Sequence, residues 1–239
     1  MPCLSNKRTD WANRLEVELK YATSSHFVTL TYAPEKIPIA SDGRVTLRKT
    51  DVQKFFKRLR KKLKTPIKYF LCAEYGEETN RPHYHAIIYN LNMSDDKLYL
   101  ELLKAWQNGL IHVGEVNSQS IRYATKYIIQ KNDFKTDDER RPFSLMSKGL
   151  GKQYMATHTK YHQDDISRNY MTKAGGTKSR LPRYYRDKVY SQKQRAEQKE
   201  QIMEIEANTD FDDDHFTLEI ARKEQYKNRV LKSLKNNKL

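Results

Sequence analysis

The chain is poor in the residues that staple a fold or anchor it in a bilayer. Its 239 residues include two cysteines, Cys3 and Cys72, whose separation suits neither a metal knuckle nor a redox pair. Free thiols in a reducing compartment are the economical reading. No run of about 18 apolar residues occurs, which excludes membrane-spanning helices, and the first residues lack the apolar core of a secretory signal, so a cytoplasmic protein is expected. Internal repeats and long low-complexity stretches are absent too. The glycine-bearing turn SKGLGK at 147–152 lacks the Walker A spacing, so no nucleotide-driven motor is encoded in it.

Acidic residues are in the minority. Lys and Arg number 45 against 30 Asp and Glu, a formal net charge of +15. Such a surface attracts polyanions, nucleic acid first and a membrane surface second. The excess is uneven: residues 183–239 carry 13 Lys/Arg and 11 Asp/Glu, net +2, leaving +13 on residues 1–182. Apolar residues make up 37% of the chain, enough for one substantial domain with extensions but not for two full ones. Tyrosine is abundant at 16 residues against 8 phenylalanines, and some phenols could stack on bases while most serve the core.

Periodicity predicts a helix over 11–21, a strand over 26–32, a helix over 51–64, a hairpin over 67–90, a helix over 95–106, a strand over 110–116 and a helix over 121–131. That order suggests an α+β fold, an antiparallel sheet covered on one face by helices in a ferredoxin-like arrangement. Residues 1–190 read as this domain. Residues 191–239 read as a charged tail of two helices, 191–205 and 215–234, split by an acidic turn.

The hairpin carries the sharpest local signal. His83 and His85 stand at i and i+2 on one strand and therefore leave from one face, with Tyr84 on the other. Glu74, on the preceding strand, falls within side-chain reach, and two imidazoles with one carboxylate can hold a divalent cation. Glu77 and Glu78, in the loop, compete with Glu74 but are not fixed by the sheet. On the 121–131 helix, Tyr123 and Tyr127 are four apart and share a stripe, with Lys126 on its flank, while Ile121, Ala124 and Ile128 can bury another side. A phenol is a poor nucleophile at its ordinary pKa. Attack on phosphorus therefore needs the phosphate's charge offset, which a cation and a lysine can supply.

Four stretches can meet a polynucleotide backbone. The 51–64 helix puts Val52, Phe55, Phe56, Leu59 and Leu63 on an apolar stripe and crowds Lys54, Lys57, Arg58, Lys61 and Lys62 opposite. Lys148 and Lys152 flank the glycine turn, whose amides could hold phosphate. The segment TKSRLPRYYR at 177–186, with Arg180 and Arg183, interleaves basic and aromatic residues. Thr29 and Thr31 share a strand face and could support either the active site or the backbone of DNA.

These stretches together resemble a known family. HYH at 83–85 resembles the histidine–hydrophobe–histidine motif of HUH endonucleases. YATKYIIQK at 123–131 resembles the two-tyrosine motif of their rolling-circle replication initiators, and FVTLTY at 27–32 takes the place of their first strand motif. More narrowly, MPCLSNKR, the loop before RPHYH, RRPFSLMSKGLG and LPRYYRDK resemble the small replication initiators of gokushovirus-type microviruses, over roughly residues 1–190. The resemblance implies His83, His85 and Glu74 as ligands of Mg²⁺ or Mn²⁺, and Tyr123 or Tyr127 as nucleophile on single-stranded origin DNA. A 5′-phosphotyrosyl link and a free 3′-OH would follow, with Lys126 offsetting charge. It also implies action in the host cell cytoplasm, with unwinding left to a host helicase. A single-tyrosine transposase or relaxase, or a nucleic-acid-binding protein without catalysis, are the other readings the residues allow.

Overall fold

The structure is a computed structural model and describes residues 4–63, 66–76, 78–128 and 141–208. Its architecture follows from how the strands are buried. In β1 (Ser25–Tyr32) Val28, Leu30 and Tyr32 are fully covered and the residues between them only partly, the period of two expected of a strand. In β2 (Lys68–Tyr75) and β3 (Pro82–Tyr89) burial runs almost without a break, which requires a covering layer on both faces.

The sheet is antiparallel throughout. With β4 (Gly109–Gly114) and β5 (Ser144–Met146) its order is β4-β1-β3-β2-β5. Helix α2 (Lys49–Lys62) connects β1 to β2 and α3 (Asp95–Trp106) connects β3 to β4, the ferredoxin-like β-α-β-β-α-β path, with β5 added at the β2 edge. Both helices lie on one face, where Val52, Phe55, Phe56, Leu59, Leu98, Leu102 and Trp106 pack on Val28, Leu30, Leu71, Tyr84, Ala86 and Ile88. Trp106 is fully buried and its indole N–H donates to the Thr31 carbonyl at 3.0 Å. Removing a ring of this core, as in Phe55→Ala, costs about 3–5 kcal/mol.

The expectation of helices on a single face is corrected here. The second face is covered by α1 (Leu4–Tyr21) and α4 (Ser118–Lys126), with Leu15, Ile121, Ala124 and Leu150 packed on Phe70, Cys72, Ile87 and Tyr89. Two buried charges tie this layer down. Glu18 of α1 accepts from Lys68 Nζ at 2.7 Å and from the Gly151 amide at 2.7 Å. Arg14 lies between the rings of Trp11 and Tyr184 and donates through Nε and Nη2 to the Leu150 carbonyl. Helix α5 (Gln153–Gln163), the ribbon of β6 (Tyr170–Thr172) with β7 (Lys178–Arg180), and α6 (Arg183–Val189) complete this part of the chain.

The chain divides into two compact units, Met1–Val189 and Tyr190–Leu239. In the second, α7 (Gln192–Asn208) is capped reciprocally: the Ser191 amide donates to Gln194 Oε1 and the Gln194 amide to Ser191 Oγ. The helix expected over 215–234, the acidic run at 210–214, and residues Glu77 and Lys131 lie outside the described residues. No helix among the described residues is long and apolar enough to cross a membrane.

Candidate active site

Register sets the site. Glu74 pairs with His83 across β2 and β3, while Cys72, His85, Thr29 and His112 form the adjacent row across four strands. All of these leave from the α1/α4 face. Tyr84 leaves from the other, where its hydroxyl meets that of Tyr32 at 3.0 Å and accepts from the Arg48 amide at 2.8 Å.

His85 is buried and engaged at both nitrogens. Nε2 meets Glu74 Oε1 at 2.6 Å and Nδ1 meets Thr29 Oγ1 at 3.1 Å. Its ring lies stacked between Phe27, at 5.7 Å between centroids, and Tyr127, at 6.0 Å. Burial first, and then its neighbour His85, push the imidazole of His83 below its ordinary pKa. Gly76 borders the His83 ring so closely that a Cβ there would stand 3.1 Å from Cε1. Glu78 is exposed in the loop beyond.

Helix α4 brings the phenols over this strand pair. Its start is a capping box on Asn117, whose side chain accepts from the Gln119 and Ser120 amides while Ser120 Oγ accepts from the Asn117 amide. The cap expected at Ser118 or Ser120 is thus one residue or more late. Ile121 and Ala124 are fully buried and anchor the helix, leaving Tyr123 42% exposed. The helix ends at Lys126 rather than 131, and Tyr127 is its C-cap, still in right-handed helical conformation. The four-residue spacing therefore holds: the rings of Tyr123 and Tyr127 are 5.3 Å apart, edge to face. Tyr123 stands edge-on to His85 at 5.1 Å, and its hydroxyl donates to Glu74 Oε1 at 3.5 Å. Tyr127 neighbours both Tyr123 and Glu74. Burial, followed by these contacts, raises the pKa of Tyr127, and burial raises that of Tyr123 against a lowering by its bond to Tyr127. Lys126 is exposed, with Nζ 5.8 Å from the Tyr127 ring centre.

Glu74, His83 and His85 supply a carboxylate and two imidazoles on one face, a donor set that suits a divalent cation. Among the described residues no three such side chains already form a cage. Glu74 and His85 would have to part to admit a cation.

The basic candidates are scattered. Lys54, Lys57 and Lys61 are exposed on α2, which packs on the opposite face of the sheet from the tyrosines. Arg58 is spent inside the fold: Nε donates to the Ala105 carbonyl at 2.7 Å and Nη2 to that of Trp106 at 3.1 Å, closing the end of α3. Lys62 reaches Glu101 at 3.8 Å. Arg180 pairs with Asp10 and Arg183 with Asp187, each at 3.1 Å. The Gly151 amide, one candidate for holding phosphate, is already given to Glu18, whereas the Lys148 and Lys152 side chains are exposed. Thr29, expected from its strand face to support either the active site or the DNA backbone, is found at the site, whereas Phe27 beside the His85 ring was not anticipated; the register opposite β3 places both.

Residues 25–133 match the family model described as Replication-associated protein ORF2/G2P. Among curated proteins the chain is similar to Replication-associated protein VP4 of Bdellovibrio phage phiMH2K, 31% identical over 213 residues that cover 78% of this chain and 64% of the relative. It is also similar to Replication-associated protein ORF2 of Spiroplasma virus 4, 28% identical with 77% and 63% covered, and to Replication-associated protein ORF4 of Chlamydia phage 1, 23% identical with 77% and 51% covered. The chain thus spans between half and two thirds of the length of these relatives. No solved structure matches it. Residues 25–133, which hold the His-Tyr-His strand and both tyrosines of α4, are thus similar to replication-associated proteins of the ORF2/G2P type.

Proposed function

We propose that the protein initiates replication of a phage genome by nicking and rejoining single-stranded origin DNA through Tyr123 and Tyr127. One observation carries this reading: two phenols on one helix turn converge on a buried carboxylate–imidazole pair, with a second imidazole on the same strand face. The sheet fixes Glu74, His83 and His85, and the helix fixes the tyrosines, so a sugar–phosphate entering between them meets a preset geometry.

In the first step the phenol oxygen forms a bond to phosphorus and the bond to the 3′-oxygen breaks, leaving a 5′-phosphotyrosyl link and, once the departing oxygen is protonated, a free 3′-OH. Glu74, which accepts from the Tyr123 hydroxyl, is placed to receive the phenol proton. A Mg²⁺ or Mn²⁺ ion held by His83, His85 and Glu74 would draw charge from the scissile phosphate. Lys126, on the tyrosine flank, adds positive charge on the open side. The second phenol, whose ring lies 5.3 Å from the first, would attack the regenerated junction and release a unit-length circle. Each step exchanges one phosphodiester for another, so joining needs no ATP; unwinding falls to a host helicase in the host cytoplasm.

The test is a denaturing gel of protein incubated with labelled single-stranded origin DNA and Mn²⁺. A covalent adduct is expected. Folded protein that binds the DNA yet forms no adduct with any divalent cation would leave only a nucleic-acid-binding protein.

A further inference from the structure

Thr29 sits opposite His85 at the centre of the sheet, held on both sides by β3 and β4. Its hydroxyl lies 3.1 Å from Nδ1 of His85, whose Nε2 is 2.6 Å from Glu74. A carboxylate can only accept, so a neutral ring in this arrangement has its proton on Nε2 and its lone pair on Nδ1, where the Thr29 hydroxyl can donate. A cation at Nε2 requires the reverse: the lone pair must be on Nε2 and the proton on Nδ1, which then needs an acceptor.

A hydroxyl can serve both states by turning about its Cβ–Oγ bond. A carboxylate in its place would hold Nδ1–H permanently, and an aliphatic side chain would satisfy neither state. Phe27 and Tyr127 stack on the ring at 5.7 and 6.0 Å between centroids, and the contacts at its edge are those with Thr29 and Glu74.

We propose that Thr29 is a positioning residue whose hydroxyl, as donor in one state and acceptor in the other, lets His85 exchange Glu74 for a divalent cation. The inference rests on the cation site proposed above. Thr31 provides an internal control. It faces His83 in the same register but no side-chain hydrogen bond joins the two among the described residues.

Binding of Mn²⁺ to the whole chain, followed by electron paramagnetic resonance of the free ion, tests it. Thr29→Val, a β-branched replacement of similar volume, is expected to weaken binding about 10- to 100-fold, the usual effect of losing such a supporting contact. Thr29→Ser keeps the hydroxyl and is expected within about threefold of wild type, as is Thr31→Val. Equal affinity for wild type and Thr29→Val overturns the inference, and so does a loss in Thr29→Ser as large as in Thr29→Val, because the methyl and not the hydroxyl would then matter. Nitrogen-15 spectra of the wild type give a readout free of substitution: Nδ1 of His85 is expected unprotonated without cation and protonated with Mg²⁺. Protonation of Nδ1 in both conditions overturns the exchange. Wild-type protein that is folded and binds no divalent cation removes the cation site itself, an outcome separate from any difference among the variants.

Discussion

At the scale of single residues, the two tyrosines have neighbouring but unequal surroundings. Tyr123 is the more open and reaches Glu74 directly, whereas Tyr127 is half-buried and stacked on His85. In the proposed mechanism either phenol can attack, so Tyr123→Phe and Tyr127→Phe are each expected to leave measurable adduct in the gel assay. The double substitution is expected to reduce adduct to background. Adduct from the double variant at the wild-type level would remove the tyrosines from the chemistry. Gly151 makes a different demand. Its φ is +71°, and a Cβ would fall 2.7 Å from the Arg14 carbonyl and closer still to the Tyr185 hydroxyl. Gly151→Ala should therefore cost at least about 1–3 kcal/mol for the backbone alone. Thermal unfolding would read this as a fall of several degrees, about 2–4 °C for each kcal/mol.

At the scale of elements, α2 is the sharpest case of charge without an assigned partner. Lys54, Lys57 and Lys61 recur three and four residues apart and form one exposed stripe about 10 Å long. If each meets a phosphate, the combined Lys54→Gln, Lys57→Gln, Lys61→Gln variant should lower the slope of log affinity against log salt on duplex DNA by about 2 to 3. An unchanged slope would mean that the stripe is only a solvated face. The hairpin, the α2 and α3 stripes and the α4 spacing were legible in the sequence because each depends on local periodicity. The cover on the second face was harder to read. Its call for burial is written plainly in the apolar run FLCA of β2, but its partner α1 hides its inward side, since that side carries Arg14 and Glu18. Those charges are tolerated because Lys68, the Leu150 carbonyl, the Gly151 amide and the Tyr184 ring satisfy them, contacts 50 or more residues away that no local pattern announces. For the same reason Phe27 reads as an ordinary strand residue, and Thr29 as one of two candidate hydroxyls, until the register sets them beside His85.

At the scale of the whole molecule, stability should depend on pH in one direction across the histidine range. Burial lowers the pKa of His26, His83 and His162. His162 shows why. Burial there outweighs the Arg168 carbonyl, which lies 2.6 Å from one ring nitrogen and favours the protonated ring, while the Tyr154 hydroxyl lies 2.9 Å from the other. The unfolded chain takes up these protons near pH 6.5, before the folded one does. Stability from these groups is therefore full above about pH 7.5 and is lost as pH falls through 6.5 towards the depressed folded values. Urea midpoints at pH 8, 6 and 5 should decline in that order, and His162→Gln should flatten the trend.

The way the second sheet face is roofed bears on how the protein can be cut. Leu15 and Leu150 lie on either side of the stretch from 25 to 133 in the chain, yet both rest on Phe70, Ile87 and Tyr89 within it. A fragment trimmed to that stretch would keep every proposed catalytic side chain and α4, while losing the cover that Leu15 and Leu150 give to the underside of β2 and β3. It should clump on expression, and restoring residues from α1 through α6 should cure it.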